Sequence, residues 1–296
     1  MEMLSYGFMQ KAFLAGILLG LLSALVGFFV VLKRLSFIGA GIAHTAFGGV
    51  ALGLVTGLNP LWAAGAFALG VAWLIAWISR QGRLPEDTAI GIFFAGAMAL
   101  GVGVLSLSKG YYGDVFGYLF GNILAVSTGD LALLFIAGTG VAVFILLSFR
   151  ALLFLCFDEE LAAASGLPVR FLYYGLFTAI ALTVMVAAKM VGIVLASALL
   201  VTPAATGYQL ARTYRGMLAV SVLAGLFSSL AGLWLSFIFN LASGAAIVLC
   251  ATLFFLISFC FSPRRRRISR WKEQEKPAAS ENKLTCNEDK MISDDL

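Results

Sequence analysis

The sequence predicts an all-α protein, a polytopic transmembrane helical bundle of about eight to nine spans. Hydrophobic residues make up 61% of its 296 residues and charged residues only 12%, whereas soluble domains are about 45–50% apolar and about 25% charged. A water-soluble globule would lack the polar residues to cover its surface, and the same composition excludes a disordered chain. The apolar segments are long and do not alternate with polar residues, which favours helices over a membrane β-barrel.

Nine segments are long enough to cross a bilayer, because an apolar core about 30 Å thick requires about 20 residues per helix. In chain order they are residues 8–32, 37–57, 60–79, 88–108, 131–149, 171–188, 190–211, 216–239 and 243–261. The intervening segment 109–130 is too polar and too rich in glycine for a span. Its aromatic residues suit the membrane interface, so we expect a short helix on the membrane surface there.

The distribution of Lys and Arg between alternate loops predicts the orientation. If the C-terminus is cytoplasmic, the cytoplasmic loops are 33–36, 80–87, 150–170 and 212–215. These loops contain eight basic residues: Lys33, Arg34, Arg80, Arg83, Arg150, Arg170, Arg212 and Arg215. The opposite side contains three: Lys11, Lys109 and Lys189. With nine spans, the N-terminus therefore lies outside the cell.

The chain divides into a membrane domain, residues 1–262, and a tail, residues 263–296. The tail opens with Pro263 and four arginines and then combines mixed charges with Ser, Asn and Pro, which is typical of disorder. Because the arginines directly follow an apolar segment, we expect them to contact the anionic headgroups of membrane lipids and no nucleic acid.

Several classes of activity lack their usual residues. The sequence has no GxxxxGK[ST] loop for the phosphates of ATP, and no HExxH motif or paired carboxylates for intramembrane proteolysis. Its Asp and Glu residues lie in loops, in segment 109–130 or near the chain ends, whereas ion-coupled carriers usually keep ionisable groups inside their helices. A channel is compatible with this pattern.

The second predicted span contains a ridge of small residues and one ionisable side chain. Gly41, Gly49, Gly53 and Gly57 are separated by four residues or a multiple of four, which permits close helix contact. This ridge either serves packing alone or lines a path. His44 lies beside it and is the only histidine.

An imidazole can ligate zinc, iron or manganese, but it can equally bond a carbonyl of a neighbouring helix. One histidine cannot complete a tight metal site, so a metal role of His44 would be a transient contact on a pathway. In the seventh predicted span, Pro203 removes a helical hydrogen bond and predicts a kink. Such a kink is either structural or belongs to a moving, pathway-lining helix.

The cytoplasmic stretch FDEELAAASGLPV, residues 157–169, has the pattern of a short helix. Acidic residues at its start favour a helix N-terminus, and Gly166 favours a helix end. We predict about two helical turns between two spans. The segment is either a solvated connector or a docking helix whose carboxylates attract basic residues of a soluble partner.

Five motifs occur in order along the chain. They are KRLSFIG…AH…GGVALGL at 33–54, GYLFGNILAVSTGDL at 117–131, FDEELAAASGLPV at 157–169, ALTV…KMVGIVLASALLVTPAAT at 181–206, and GAAIVLCATLFFLIS at 244–258. In this order and at these distances they resemble the membrane subunit of metal-ion ABC importers, the manganese/zinc/iron permease family. The resemblance extends from about residue 8 to residue 261.

This resemblance implies a permease similar to the cobalamin-type ABC importers, in the plasma membrane of a prokaryote. Such subunits pair in the membrane, here as a homodimer, and receive metal from an extracytoplasmic metal-binding protein. Each binds a separate cytoplasmic ATP-binding subunit, so this chain is not expected to be an enzyme or to hold a permanent cofactor. The residues that correspond to the family's ATPase-coupling region are Asp158, Glu159, Glu160, Leu161, Ala162 and Gly166.

The implied function is ATP-driven import of a divalent transition metal by alternating access. The outer loops near 58–60, 109–130 and 240–243 would receive the binding protein. Relatives usually have Asp four residues before the histidine, where this chain has Ala40. The missing oxygen ligand favours zinc or iron over manganese, with zinc first. The alternative is a stand-alone metal channel or an ion-coupled secondary carrier.

Overall fold

The computed structural model of the chain describes residues 7–82, 84–107, 121 and 123–262. These residues form α-helices and one 3₁₀ turn, Ile123–Ala125, with no strand among them. The helices are α1 (Gly7–Leu32), α2 (Ile38–Thr56), α3 (Pro60–Arg80), α4 (Glu86–Leu107), α5 (Thr128–Leu147), α6 (Phe149–Phe157), α7 (Glu159–Ala164), α8 (Val169–Val191), α9 (Ile193–Leu210), α10 (Tyr214–Phe239) and α11 (Ser243–Cys260).

Among the described residues, eight helices are long and apolar enough to cross a membrane. They are α1, α2, α3, α4, α5, α8, α10 and α11. The predicted all-α transmembrane bundle is therefore confirmed, and the protein is a multi-pass membrane protein. The remaining predicted span, residues 190–211, corresponds to α9, which is not one of the eight.

Helix α9 nevertheless lies along the length of α11. At one end, a Cβ added to Gly244 would lie 2.7 Å from Leu195 Cδ1. At the other end, the Ser262 hydroxyl donates a 3.2 Å hydrogen bond to the Gln209 carbonyl oxygen. Gly192 separates α8 from α9 with a φ of 98°, a backbone conformation that favours glycine. Helix α9 thus passes through the bundle as α11 does.

Small residues let α1 and α10 pack at backbone distance. A Cβ added to Gly20 would lie 2.8 Å from the Gly225 carbonyl oxygen, and Gly16 faces Leu233, so the two helices are antiparallel. Gly232 packs in the same way against Ile247 of α11. Lipid is as apolar as the side chains, so close packing is a main source of helix association in membranes. These contacts place the start of α1 and the end of α11 at opposite ends of the bundle.

Local sequence explains where several helices begin and end. Asn59 caps α3 by accepting a 3.0 Å hydrogen bond from the Leu61 N–H, and Pro60 is compatible with the first helical turn. Ser127 and Asp130 form a reciprocal capping box at the start of α5. Helix α5 therefore begins at Thr128, before the predicted start of this span at residue 131.

The predicted surface helix over residues 109–130 is not present in the described part of that segment. Residues 123–130 form the 3₁₀ turn and the first turn of α5. Asp130 is one reason that the segment looked too polar for a span, and its role in the structure is to complete the capping box of α5. Residues 109–120, Asn122, Arg83 and the tail 263–296 lie outside the described residues.

Basic residues assigned to the cytoplasm by loop counting meet at one end of the bundle. Lys33, Arg34 and Arg212 line the same cavity, whose volume is about 490 Å³. At the opposite end, Lys189 of α8 forms an ion pair with Asp130 of α5. The end that carries Lys33, α6 and α7 is called the inner end below, and the opposite end is called the outer end.

Candidate functional site

The short helix predicted between two spans is α7, at the inner end. Asp158 caps its start, since its Oδ1 accepts a 2.9 Å hydrogen bond from the Leu161 N–H. At its end, the Gly166 N–H donates to the Ala163 carbonyl and the Leu167 N–H donates to the Ala162 carbonyl. Gly166 has a φ of 79°, as in a Schellman ending. These bonds define a helix of six residues, a length that has little stability alone.

Helix α7 has a buried and an exposed side. Ala162 is fully buried, whereas the side chains of Leu161 and of Phe157, just before the helix, are 54% and 71% exposed. Glu160 is also exposed, and Glu159 is half-buried. The predicted coupling residues therefore have three kinds of position. Asp158 and Gly166 form the two ends of α7, and Glu159 and Ala162 face the bundle. Glu160 and Leu161 lie on the exposed side.

Glu159 joins α7 to two spans. Its Oε2 accepts a 3.2 Å hydrogen bond from Lys33 Nζ, just after α1, and its Oε1 lies 3.7 Å from Arg80 Nη2, at the end of α3. The side chains of Lys33, Arg80 and Glu159 are 12%, 24% and 35% exposed. Charges this sheltered are screened less than exposed pairs. One carboxylate thus contacts cations from both α1 and α3.

Tyr173 of α8 lies beneath these two cations. Its ring is buried, with Lys33 Nζ at 5.0 Å and Arg80 Cζ at 5.5 Å from the ring centroid, within the range of cation–π attraction. The Tyr173 hydroxyl donates a 3.2 Å hydrogen bond to Glu86 Oε1, at the start of α4. We call Lys33, Arg80, Glu86, Glu159 and Tyr173 the inner charge cluster. It connects α7 with α1, α3, α4 and α8.

His44 is half-buried in α2. Its Nδ1 lies 2.8 Å from the Ala40 carbonyl oxygen, and a carbonyl can only accept, so Nδ1 is the donor in this hydrogen bond. The Nε2 lone pair is then available to a metal ion. The ring centroid lies 4.7 Å from that of Phe94 on α4. The carbonyl that His44 contacts belongs to its own helix, not to a neighbouring one.

The side chains around His44 do not form a complete metal site. Among the described residues, no group of three or more His, Cys, Asp or Glu side chains could hold a metal ion. Ala40 contributes only its carbonyl oxygen. His44 itself offers one imidazole ligand.

The glycine ridge of α2 contacts two neighbouring helices. A Cβ added to Gly49 would lie 2.6 Å from Ala64 Cα of α3, one added to Gly53 would lie 2.9 Å from Pro60 Cα, and Gly41 faces Ile90 of α4.

Gly57, predicted as a further member of this ridge, has a different position. Helix α2 ends at Thr56, and Gly57 adopts a left-handed φ of 73° as its C-cap. A Cβ added there would meet nothing within 4 Å. Gly57 therefore ends the helix and does not pack against a neighbour.

Pro203 lies inside α9, and the helix continues through it. Because proline has no N–H, the Leu199 carbonyl loses its helical donor. Gly27 of α1 packs against the next carbonyl, that of Leu200. Near the start of α2, a Cβ added to Gly39 would lie 3.5 Å from Ser197 Cα of α9. The helices that carry His44 and Pro203 are therefore neighbours.

Four residues of the inner charge cluster were not predicted as site residues: Lys33, Arg80, Glu86 and Tyr173. Lys33 entered the sequence analysis only as a loop charge, and it is 126 residues from Glu159. No local pattern relates residues so far apart. The available signal was position, since Lys33, Arg80 and Glu86 all lie at span ends, where charged groups can pair without entering lipid.

Comparison with known proteins places this architecture in a family. The model described as the ABC 3 transport family matches residues 5–262. The uncharacterized membrane protein slr2045 of Synechocystis sp. is 42% identical, covering 88% of this chain and 92% of its own length. The manganese transport system membrane protein MntC of Listeria innocua is 38% identical, with 89% and 94% covered.

A solved structure agrees with these sequence relatives. In the structure of PsaBC from Streptococcus pneumoniae in complex with Fab, one chain superposes with a TM-score of 0.77 at 38% identity. The match covers 89% of this chain and 95% of that chain. The chain therefore belongs to the ABC 3 transport family, as the order of its motifs indicated.

Proposed function

We propose that the chain is the membrane permease subunit of an ATP-driven importer of a divalent transition metal. The family match supports a permease role, and relatives include proteins named as manganese import system permeases. The observation that carries the proposal is α7, a capped helix at the inner end whose exposed side carries Leu161 and whose other side forms ion pairs with residues of two spans through Glu159. Such a helix can receive movement from a soluble partner and transmit it to the membrane.

The partner at α7 is a separate cytoplasmic ATP-binding subunit. Phe157 and Leu161 offer apolar contact area, and the exposed carboxylates of Asp158 and Glu160 favour basic residues around it. The sequence has no GxxxxGK[ST] loop, so ATP hydrolysis belongs to the partner and the permease itself is not an enzyme.

The metal pathway includes His44 and a second copy of the chain. One His44 supplies one ligand, and the adjacent helix α4 has a side that contacts no other described helix of the chain. Gly91, Gly96 and Gly103 of α4 have no atom within 4 Å of an added Cβ, and few residues of α4 are buried within the chain. A homodimer through this side brings the two His44 residues towards a shared path, with α9 and Pro203 as moving neighbours.

Transport proceeds by alternating access in the plasma membrane of a prokaryote, with the inner end and the C-terminus in the cytoplasm. At the outer end, the loops near 58–60 and 240–243 receive an extracytoplasmic metal-binding protein. Leu58 and Leu241 in these loops are 64% and 50% exposed, which suits a protein contact. Weak coordination in transit is required, since a tight site would trap the ion.

Manganese is the first metal to test. Relatives that cover most of the chain are named as manganese systems. Zinc is the alternative, because Ala40 removes a carboxylate oxygen of the kind that manganese prefers. Iron is the third candidate.

The test is metal uptake by vesicles that contain the chain, its ATP-binding subunit and the metal-binding protein. We expect uptake of Mn²⁺ to require ATP and to fall in His44→Ala at all metal concentrations. Zn²⁺ and Fe²⁺ in the same assay rank the metals. ATP-independent uptake by the chain alone would instead favour a channel or an ion-coupled carrier, and wild-type rates for His44→Ala would make His44 a packing residue.

A further inference from the structure

We infer that Glu159 is a positioning residue that transmits movement of α7 to the helices around His44 through the inner charge cluster, without itself contacting the ATP-binding subunit. The inference rests on the proposed function, because it concerns how a docked partner acts on the membrane domain. It gives Glu159 a different role from its exposed neighbours on α7.

The first argument is the direction of the Glu159 side chain. One carboxylate oxygen contacts Lys33 and the other contacts Arg80. Both oxygens are therefore used within the chain, whereas Glu160 and Leu161 are exposed on the other side of α7. A basic residue of the partner would have to compete with two internal cations for Glu159. A basic residue of the partner that approaches the exposed side of α7 does not have to compete with Lys33 and Arg80.

The second argument is where Lys33 lies. It begins the turn between α1 and α2, in which the Leu35 N–H donates a 2.9 Å hydrogen bond to the Val30 carbonyl and Arg34 has a φ of 62°. This closed turn fixes Lys33 relative to the start of α2 at Ile38, one and a half to two turns before His44. A displacement of Lys33 is thus passed directly to α2.

The other cluster members reach α2 from its two sides. Arg80 ends α3, and α3 packs on Gly49 and Gly53 of α2. Glu86, held by Tyr173, begins α4, and α4 presents Phe94 to the His44 ring. The cluster is therefore connected to α2 and to two of the helices that pack against it, α3 and α4.

The third argument is that Arg80 is incompletely bonded in this conformation. Among the described protein atoms, none accepts a hydrogen bond from its buried Nη1, and the 3.7 Å separation of Nη2 from Glu159 Oε1 exceeds hydrogen-bond length. A buried donor without a partner is unfavourable. An arrangement in which α7 moves Glu159 closer to Arg80 would convert the long Nη2 contact into a hydrogen bond, so this ion pair has a second, tighter arrangement within reach.

The test uses vesicles that contain the chain, the ATP-binding subunit and the metal-binding protein. In Glu159→Gln we expect unchanged co-purification of the ATP-binding subunit, continued ATP hydrolysis and an unchanged KM for Mn²⁺. Uptake of Mn²⁺ per ATP hydrolysed should fall about tenfold, since coupling between two sites is typically in this range. Asp87→Asn is the matched control, because Asp87 is an exposed carboxylate at the inner end in the first turn of α4, and it should behave as wild type.

A second variant, Lys33→Met, removes the cation and keeps most of the apolar stem. We expect a fall in uptake per ATP that is no larger than in Glu159→Gln, because Arg80 still faces the Glu159 carboxylate, and the double variant should be no worse than Glu159→Gln, because the Lys33 contact is then already lost. Losses that multiply in the double variant would overturn the inference. If Glu159→Gln does not accumulate in the membrane, the inference is tested with Lys33→Met alone, by co-purification, ATP hydrolysis and uptake of Mn²⁺ per ATP.

Two further outcomes contradict the inference: loss of co-purification in Glu159→Gln, which would make Glu159 a docking residue, and unchanged uptake per ATP. Failure of the proposed function gives a different result, since wild-type chain would then not retain the ATP-binding subunit or would take up metal without ATP. Leu161→Arg separates the two cases. It should abolish co-purification if α7 is the docking helix.

Discussion

Direct backbone contact between Gly20 and Gly225 sets the distance between α1 and α10. A Cβ added to Gly225 would lie 2.7 Å from the Gly20 carbonyl oxygen, and neither backbone can give way without moving a whole helix. We expect Gly225→Ala to destabilise the protein by about 1–3 kcal/mol, as overpacking does, partly offset by the better helix propensity of alanine. A lower midpoint of thermal unfolding in detergent is the measurement.

Gly70→Ala is the control for this prediction. Gly70 lies on the exposed side of α3, and a Cβ there would meet nothing within 4 Å. Its midpoint should equal or slightly exceed that of wild type. Equal midpoints for both alanine variants would show that α1 and α10 are not held at backbone distance.

Some residue positions could be predicted from the sequence and others could not. The four-residue spacing in α2 led to Gly41, Gly49 and Gly53, which contact neighbouring helices, but it also led to Gly57, which ends the helix. Spacing alone does not report where a helix stops. The ion pairs of Glu159 were equally beyond local patterns, because its position at a helix N-terminus suits either an exposed or a paired carboxylate, and only the tertiary fold brings Lys33 and Arg80 to it.

At the scale of elements, α7 depends on how it ends. Gly166 has a φ of 79°, and a β-branched side chain there costs about 1–3 kcal/mol. We expect Gly166→Val to disorder the end of α7 and to lower co-purification of the ATP-binding subunit. Gly166→Asn should retain most of the binding, because asparagine tolerates this conformation better.

Equal binding by the Val and Asn variants would contradict this prediction. Thermal unfolding of both variants provides the control for general damage, since Gly166 is exposed and a Cβ there would meet nothing within 4 Å. A loss of binding with an unchanged unfolding midpoint would locate the effect in α7 itself.

The spans were predictable because long apolar segments leave few alternatives to helices in a bilayer. The reversal between the sixth and seventh predicted spans lies close to the observed one at Gly192. The start of α5 was placed too late, since Asp130 was read as a surface residue although it belongs to the capping box with Ser127. A polar residue next to an apolar segment can belong to a surface loop or can cap the membrane helix itself, and only the hydrogen bonds of the folded chain distinguish the two.

At the scale of the whole molecule, the two ends of the bundle differ in their charged groups. The inner end combines the inner charge cluster with the cavity lined by Lys33, Arg34 and Arg212. The outer end has the Lys189–Asp130 pair between α8 and α5. Under the proposed function, nucleotide-driven movement enters at the inner end and reaches the outer end through α2, α8 and α9, which pack together in the middle of the bundle.

The orientation of these ends in the membrane is the last prediction. In a cysteine-free background, Leu58→Cys at the outer end should react with a membrane-impermeant maleimide in intact cells, because Leu58 is 64% exposed. Arg212→Cys at the inner end is also exposed but should react only after permeabilisation. The same order of reaction should hold at several reagent concentrations. Labelling of residue 212 in intact cells would reverse the orientation and remove α7 from the reach of a cytoplasmic ATP-binding subunit.

Native Cys156 provides an internal control for the inner end, when it is the one cysteine retained. Burial raises the pKa of its thiol to about 12, so below that pH the group keeps its proton and the reactive thiolate is scarce. Its labelling after permeabilisation should therefore be slow near neutral pH and should rise about tenfold per pH unit in the alkaline range. Fast labelling at neutral pH would mean that the Cys156 thiol is not shielded from water in the folded chain.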